Sequence, residues 1–207
     1  MARQDRAERT RNTILDAAAA VFTEKGFAGA SLSEILAAAG VTKGALYFHF
    51  SSKEELAMAL IEELWKADLP DAGGEVTLQT IIDLSHAFAR NIRNDVRVRA
   101  SNRLVLEANF SRPAPEVYQR WIGILTDVLT QARERGDLRS EWDPAVVADW
   151  VSATFVGLAS QSEVFTGMSD LHERLTVQWR IALPGLVPPR RVSRFEPAGT
   201  VPWDDGP

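Results

Sequence analysis

The sequence predicts an all-α protein in which a small N-terminal domain precedes a larger helical domain. Nearly every long segment places its apolar residues at helical spacing, and no segment alternates polar and apolar residues as a half-buried strand does. Two short segments, beginning at Ser31 and Ser51, also have the Ser-x-x-Glu spacing of a helix capping box. A break in the periodicity falls at residues 69–75, LPDAGGE, where a Pro and two Gly interrupt the pattern.

The helices can be placed in order from their stripes, caps and breakers. We predict helices at about 6–25, 32–39, 43–49 and from 53 to 64, followed by 76–93, 96–109, 115–135, 144–166 and 169–186. Gly26 and Gly40 are placed to end two of them. Asp143 is expected to cap a helix that has Pro144 at its first position. The segment 188–207, rich in Pro, Arg, Gly and Asp, is expected to be disordered.

The composition is that of an ordinary water-soluble protein, with 45% hydrophobic and 25% charged residues among 207. The absence of cysteine excludes disulfides and thiolate chemistry and suits a cytoplasmic protein. We expect no signal peptide, no transmembrane segment and no membrane partner. Because His49, His86 and His172 lie on different predicted helices and no nucleotide-binding or hydrolase motif occurs, we expect no metal site, no cofactor and no enzymatic activity.

The charge of the chain is unevenly distributed. Residues 1–53 contain seven Lys/Arg and five Asp/Glu, a net charge of +2. Because the whole chain has a net charge of −5, the remaining residues have a net charge of −7. Four of the cations, Arg3, Arg6, Arg9 and Arg11, precede the first apolar stripe. Either a solvent-exposed helix face or an N-terminal arm that follows the phosphate backbone of a nucleic acid would explain this pattern.

The two short helices on either side of Gly40-Val41-Thr42 have the spacing of a helix-turn-helix, in which the second helix enters the DNA major groove. Lys43, at the start of that helix, can donate to guanine. Gly44 and Ala45 leave room for a close approach, and Ala45 can touch a thymine methyl. The N-cap Thr42 lies where a helix N-terminus favours phosphate.

Four ring-bearing residues follow in a row: Tyr47, Phe48, His49 and Phe50. The helical period divides them between two faces. Leu46 and Phe50 share a face and are predicted to fill the small core. Tyr47 and His49 lie off that face and can donate to phosphate oxygens, with Lys53 as a further phosphate contact. The alternative, that all the rings are core residues, is left open by spacing alone.

These motifs support a resemblance to a known family. The segments RTRNTILDAAAAVFTEKGF and SLSEILAAAGVTKGALYFHFSSKEEL resemble the DNA-binding domain of TetR-family repressors. Within that family, VTKGALYFHFSSKEELA is most similar to the γ-butyrolactone autoregulator receptors of antibiotic-producing actinobacteria. The resemblance implies a homodimer that represses genes from a palindromic operator of double-stranded DNA and is released by a small molecule. It implies DNA contacts by Ser33, Thr42, Lys43, Gly44, Tyr47, His49 and Lys53.

The resulting domain assignment is 1–52 for the helix-turn-helix domain, 53–187 for a ligand-binding and dimerisation domain, and 188–207 for the tail. In the second domain, apolar stripes carry a few polar residues, which is typical of small-molecule sites. The candidate ligand-binding residues are Leu84, Phe88, Trp121, Leu125, Val151, Thr154, Leu158 and Gln161. No charged cluster converges on these stripes, so a neutral lactone, butenolide or furan is expected. Thr154 could instead bond its own helix backbone, and the aromatic residues could be plain core.

Small residues on the helix at 144–166 (Ala153, Gly157, Ala159 and Ser160) and the apolar Leu171, Leu175, Trp179 and Leu183 on the last helix could form a four-helix dimer interface. Packing within one chain is the alternative. Two other functions also remain compatible with the sequence: a TetR-type regulator of a multidrug efflux gene, and a pseudo-receptor that answers antibiotics.

Overall fold

The computed structural model describes residues 2–63, 77–107 and 115–203, and these residues form α-helices and one 3-10 helix without any strand. In chain order the helices are α1 (Ala2–Gly29), α2 (Leu32–Ala39), α3 (Lys43–His49), α4 (Lys53–Glu63), α5 (Leu78–Asn94), α6 (Val96–Leu106), α7 (Pro115–Glu134), α8 (Pro144–Thr166), α9 (Leu171–Leu186) and the 3-10 helix η1 (Pro189–Arg194). The predicted all-α fold class is confirmed. The interruption at residues 69–75 lies outside the described residues.

The chain divides into two compact units. Unit 1 comprises Met1–Asp68 and Asn94–Ala114, and unit 2 comprises Leu69–Arg93 and Pro115–Pro207. Helices α4 and α6 are therefore grouped with α1–α3, whereas the sequence assignment placed residues 53–187, which include both helices, in the second domain. The reason is that α6 packs against α1 and α4. Its Ser101 hydroxyl donates to the Leu60 carbonyl at 2.7 Å.

The core of unit 1 is small and apolar. The predicted core residues Leu46 and Phe50 of the α3 segment are both buried. They share the interior with fully buried residues of α1, α2 and α4, among them Ile14, Leu15, Phe22, Ile35, Leu56 and Leu60. Burying such side chains supplies most of the stabilisation of a domain this size, at roughly 1.5–3 kcal/mol each.

Helix α1 is interrupted at Gly26, where the sequence predicted a helix stop, and a further short helical turn follows. Gly26 has φ 68° and ψ 178°, and helical structure resumes to Gly29. The Glu107 carboxylate occupies the space that a Cβ at residue 26 would need. It accepts a hydrogen bond from the Phe27 amide at 2.6 Å, and Arg103 both pairs with Glu107 at 2.8 Å and donates to the Thr23 carbonyl. A charged clamp after α6 thus fixes the break in α1.

Unit 2 is built around an apolar cluster from α5, α7, α8 and α9. Trp179 is completely buried there and donates through Nε1 to the Ser85 hydroxyl at 2.9 Å. That hydroxyl donates in turn to the Ile82 carbonyl, so a buried indole N–H and a buried hydroxyl are both satisfied. The other members of the cluster include Ile81, Leu125, Leu129, Val147, Val151 and Leu183.

The expectation of a disordered tail is wrong for residues 188–203. Phe195 belongs to the core cluster of unit 2, and Val192 packs against it. Arg191 donates to the buried Asp137 at 2.6 Å and to the Arg135 carbonyl. The composition is polar, but one aromatic anchor and a set of hydrogen bonds to α5 offset the ordering entropy. Residues 204–207 lie outside the described part of the chain.

Helices α8 and α9 carry an apolar face that the described residues leave exposed. On α8 it contains Val146, Trp150 and Val164, and on α9 it contains Val177 and Ile181, which is 74% exposed. The sequence analysis proposed Leu171, Leu175, Trp179 and Leu183 for a dimer interface. All four are buried inside unit 2, as is Ala159. The period of α9 was assigned correctly, but its buried face packs within one chain.

Candidate functional site

The turn between α2 and α3 is determined by local hydrogen bonds. Ser31 caps α2, and Glu34 reaches back to the Ser31 amide at 3.0 Å, completing the predicted capping box. Hydrogen bonds from Lys25 and Ser31 hold the pKa of the Glu34 carboxyl down to about 2. Gly40 ends α2 with φ 64°, and Thr42 caps α3 by accepting the Ala45 amide at 3.2 Å. The backbone therefore fixes where α3 begins.

Helix α3 has one buried edge and one exposed face. Leu46 and Phe50 are buried, while Lys43, Gly44 and Tyr47 are exposed and Ala45 is half-buried. The Lys43 ammonium lies 5.7 Å from the centre of the Tyr47 ring, one turn along the helix. The predicted division of the rings thus agrees with the structure for Leu46, Tyr47 and Phe50. His49 is half-buried at the rim of the same helix.

Sequence reasoning missed Phe48 as a candidate for this face. Its side chain is 77% exposed, and its ring meets the His49 ring edge-on at 5.0 Å. It follows Gly44 by four residues, so both lie on the exposed face of α3. The signal was available, because Leu46 and Phe50 already fill the buried edge and leave Phe48 pointing away from it.

Lys53, whose contact with phosphate stays a prediction, bonds the backbone of unit 1 in this structure. Its ammonium donates to the Phe27 carbonyl at 2.7 Å and to the Ala30 carbonyl at 2.9 Å. It also lies 4.3 Å from the centre of the Phe27 ring. Two of its three donors therefore stabilise the end of α1, next to the break at Gly26. The sequence could not reveal this contact, since the partners are 26 and 23 residues away.

Of the remaining predicted DNA contacts, Arg6, Ser33 and Thr42 lie on the exposed surface of unit 1. Ser33 is exposed in the first turn of α2 and shares a hydrogen bond with the Ser31 hydroxyl at 3.0 Å. Arg6 is exposed in the first turns of α1. Arg3 lies within α1, but its side chain is outside the described residues.

In unit 2 the predicted ligand-binding residues fall into two groups, an apolar group on α5, α7 and α8 and a polar group on α8. Trp121 on α7 and Phe88 on α5 are brought together, with ring centres 5.9 Å apart. Phe88 also meets Phe155 of α8 at 5.3 Å, so Phe88 lies between two other rings. Leu84, Leu125 and Val151 are buried, and Trp121 packs against the cluster that contains the last two. An aromatic row therefore joins three helices at the edge of the apolar core.

The polar residues of α8 depart from the predicted arrangement. Thr154 donates to the Trp150 carbonyl at 2.8 Å, as the alternative interpretation anticipated, and accepts from the Gln178 amide at 2.9 Å. Gln161 is exposed and pairs with Arg174, so it does not share an interior stripe with Thr154. Leu158 is half-buried between these positions.

Gln178 is a second residue that sequence reasoning missed. Its side-chain oxygen is buried and has no hydrogen-bond partner among the described residues. Since the Thr154 hydroxyl donates to its own backbone, it can only accept from Gln178, and this fixes the amide orientation with the oxygen unpaired. A buried acceptor of this kind costs about 1–3 kcal/mol unless a donor reaches it.

Within the described residues, no group of three or more His, Cys, Asp or Glu is arranged to hold a metal ion, and no helix has the length and hydropathy needed to cross a bilayer. His86 and His172 do meet, with their Nδ1 atoms 3.0 Å apart, although no sequence pattern predicts this pair.

The arrangement is that of a helix-turn-helix DNA-binding protein with a separate helical effector domain. A family model described as bacterial regulatory proteins of the tetR family matches residues 14–60. A model described as a tetracyclin repressor-like C-terminal domain matches residues 75–188. The chain therefore belongs to the TetR family of bacterial regulatory proteins, as the sequence motifs predicted.

Relatives in this family are similar along nearly the whole chain. The A-factor receptor protein of Streptomyces griseus is 38% identical over 97% of this chain and 72% of the relative. A crystal structure of an ArpA-like γ-butyrolactone receptor is 35% identical, with a TM-score of 0.78 over 93% of this chain and 96% of that one. A structure of CprB from Streptomyces coelicolor with its operator sequence is 36% identical, with a TM-score of 0.72 over 91% and 94%.

Proposed function

We propose that this protein is a homodimeric repressor that binds a palindromic operator through α3 and is released by a small neutral γ-butyrolactone-, butenolide- or furan-type signal. The observation that carries the proposal is the aromatic row of Trp121, Phe88 and Phe155 in unit 2, combined with the exposed face of α3 in unit 1. The genes it controls are then those of antibiotic or other secondary metabolism, and it acts in the cytoplasm.

The α3 face supplies the DNA contacts in this proposal. Lys43 is placed for a base edge, Gly44 and Ala45 for close approach, and Tyr47 and His49 for phosphates. Thr42 and Ser33 lie at the N-termini of α3 and α2, where backbone amides favour phosphate. Arg3 and Arg6 belong to the arm that follows the backbone. The solved operator complex of CprB supports this placement through the similarity of the two chains.

The apolar face of α8 and α9 supports the homodimer. Val146, Trp150 and Val164 share one face of α8 by helical spacing, and Val177 and Ile181 are exposed on α9, which packs against α8. A face of this kind on one side of two adjacent helices is typical of a subunit interface. One recognition helix reads few base pairs, so a palindromic operator also requires two copies.

The signal site is proposed around Trp121, with Leu84, Phe88, Leu125, Val151 and Leu158 as its apolar surroundings. The apolar character of these residues suits a neutral ligand rather than a cationic one. Thr154 and Gln178 supply the polar end, and the unpaired Gln178 oxygen favours a signal with a hydroxyl group. Relatives described as γ-butyrolactone and A-factor receptors support this ligand class.

The test is an operator gel shift with a panel of lactones, butenolides, furans, antibiotics and cationic dyes. We expect neutral compounds of the first three classes to release the protein, while Trp121→Ala abolishes release and retains operator affinity. Trp142→Ala, which removes an indole outside the aromatic row, is the matched control and should respond normally. Release by cationic dyes alone would point instead to an efflux-type regulator, and release by antibiotics alone to a pseudo-receptor.

Dimerisation is tested separately by sedimentation. Ile181→Glu should convert the protein to a monomer at micromolar concentration and abolish operator binding, because it places two charges in an apolar interface. Val96→Glu, a similar change at an exposed valine of α6, is the control. A monomeric parent protein with full operator affinity would contradict the homodimer.

A further inference from the structure

The C-terminal segment of residues 196–203, called the strap below, runs along the outer surface of α5. It begins at Gln79, whose side-chain oxygen accepts from the Glu196 amide at 2.8 Å and whose amide group donates to the Glu196 carbonyl at 3.2 Å. One glutamine therefore pairs with both backbone groups of a strap residue, much as a neighbouring β-strand would.

Three further residues of α5 continue the contact along the helix. Asp83 accepts the Thr200 amide at 2.7 Å and the Thr200 hydroxyl at 2.6 Å. His86 donates through Nε2 to the Pro197 carbonyl at 3.0 Å, since a carbonyl can only accept. Arg90 donates to the Pro202 carbonyl at 2.9 Å. Six hydrogen bonds thus join the strap to one helix.

The strap also approaches the helix closely in its middle. Gly199 has φ 77°, and a Cβ there would lie 2.9 Å from the His86 ring. Beyond it, the Trp203 ring stacks on the His172 ring of α9 at 4.4 Å. Only glycine satisfies both the backbone conformation and the contact at residue 199, so the strap fits this surface specifically.

The strap and the proposed signal site lie on opposite faces of α5. Gln79, Asp83, His86 and Arg90 are spaced four, three and four residues apart and share one face. Phe88 is two residues from both His86 and Arg90, which places it about 200° around the helix at 3.6 residues per turn. On that side its ring lies between those of Trp121 and Phe155. Helix α5 is therefore held on both faces.

We propose that the strap restrains α5 and thereby raises the concentration of signal at which the protein leaves its operator. The inference rests on the proposed function. A ligand that packs against Trp121 must displace the Phe88 ring, and an outward movement of α5 accommodates this. Such a movement strains the six hydrogen bonds to the strap. A ligand shifts an equilibrium only by its difference in affinity for the two states, so a restraint on the liganded state weakens the response.

The strap lies outside the residues that the C-terminal family model matches. The C-terminal family model ends at residue 188, before the strap begins. We therefore expect that loosening the strap alters the sensitivity of the protein to its signal. Such variants change no residue of unit 1 or of the aromatic row.

The experiment compares three single variants in the full-length chain. Gly199→Val places a branched side chain against His86, and Thr200→Val removes one hydroxyl bond to Asp83 at nearly constant volume. Gly123→Ala is the control, because a Cβ at that exposed position of α7 meets no atom within 4 Å. Each variant is titrated with the most effective compound of the panel in an operator-release assay, and circular dichroism checks its folding.

We expect Gly199→Val to require about fivefold less signal for half-release, a typical coupling between two sites. Thr200→Val should shift the titration in the same direction by a smaller factor, and Gly123→Ala should leave it unchanged. Operator affinity without signal should be equal in all four proteins. An unchanged or higher half-release concentration in both folded strap variants would overturn the proposal. If Gly199→Val fails to fold, Thr200→Val alone decides.

Hydrogen exchange separates this inference from the proposed function. We expect the amides of α5 to exchange faster in Gly199→Val than in the parent protein or Gly123→Ala. If no compound releases the parent protein, the proposed function fails, and the exchange rates alone then test the restraint. Equal α5 exchange in the strap variant and the parent protein would overturn the strap in either case.

Discussion

Unit 1 and unit 2 are stabilised in different ways. Unit 1 fixes its backbone with charged side chains that bond main-chain groups distant in sequence: Glu107 to Phe27, Lys53 to Phe27 and Ala30, and Arg103 to Thr23. Unit 2 relies on an apolar cluster and a row of aromatic rings, and six hydrogen bonds join its C-terminal strap to the outer face of α5.

The difference matches the two tasks. Reading DNA requires the N-terminus of α3 to be held in one position, because base contacts depend on distance and direction. Charged clamps on the backbone provide that rigidity. Admitting a small molecule requires side chains that can repack, and aromatic rings with few directional bonds allow it. The strap is the part of unit 2 whose contacts most resemble those of unit 1.

The largest effect is expected from changing the break in α1. Gly26→Ala must adopt a positive φ and also displace the Glu107 carboxylate, so we expect a loss of about 3 kcal/mol or more in the free energy of unfolding. Gly40→Ala has a similar φ but meets no atom within 4 Å, and should lose only about 1 kcal/mol. Urea unfolding followed by circular dichroism measures both. Equal losses would show that the clamp does not determine the break.

A second comparison sets two lysines of unit 1, Lys53 and Lys43, against each other. Lys53→Met removes two charged hydrogen bonds to backbone carbonyls, and we expect a loss of about 1–3 kcal/mol in unfolding free energy. Lys43→Ala should leave stability unchanged and reduce discrimination between operator and random DNA by about 1–3 kcal/mol.

Urea unfolding and competition gel shifts test the pair. If Lys53→Met kept full stability and instead weakened binding to operator and random DNA alike, the original assignment of Lys53 as a phosphate contact would be restored.

How much of this the sequence could predict depends on the range of each interaction. Caps and periodicity are local, so the helix-turn-helix, the Ser31 box, the Thr42 cap and the burial of Leu46 and Phe50 were all predictable. The role of Lys53, the carboxylate at Gly26 and the strap on α5 join residues from 23 to 117 positions apart, and no local pattern indicates such partners. The polar composition of the segment after residue 188 predicted disorder, because one aromatic residue, Phe195, changes the average hydrophobicity of the segment very little.

In the signal site the sequence identified the aromatic residues but not their polar neighbours. Trp121 and Phe88 follow clear apolar stripes, and the structure brings their rings together. Gln161 lies only about 20° around α8 from Thr154, but it is exposed and pairs with Arg174, a partner that the spacing alone does not reveal. Gln178 could not be found, since its unpaired oxygen is recognisable only from three-dimensional burial.

A smaller effect is expected at Phe48, on the exposed face of α3. Phe48→Ala removes an apolar ring that has no core role, so stability should be unchanged. If the ring packs against the DNA, operator affinity should fall by about 1 kcal/mol, in proportion to the apolar area buried. Filter binding measures the affinity, and Met58→Ala, at another exposed apolar residue of unit 1, is the control. Equal operator affinity in parent protein and Phe48→Ala would exclude Phe48 from the interface.

The smallest effect concerns pH and distinguishes unit 2 from unit 1. Burial lowers the pKa of His86, with the nearby His172 acting in the same direction, while the hydrogen bond to the Pro197 carbonyl and the Asp83 carboxylate raise it. Because the folded pKa lies below the unfolded value of about 6.5, the unfolded chain binds the proton more readily. The stability of unit 2 is therefore full above pH 6.5 and falls as the pH decreases below it.

One proton limits the slope to about 1.4 kcal/mol per pH unit. When the pH is lowered from 7.5 to 5.5, we expect the urea midpoint of unfolding to decrease more in the parent protein than in His86→Gln, because glutamine does not titrate. Hydrogen-exchange protection of α5, corrected for the pH dependence of the intrinsic exchange rate, should decrease at the lower pH, since a protonated His86 places a charge against His172 beneath the strap. The protection of α3, corrected in the same way, should stay constant. The same decrease in the parent protein and His86→Gln would assign the pH dependence to other groups and leave the strap insensitive to pH.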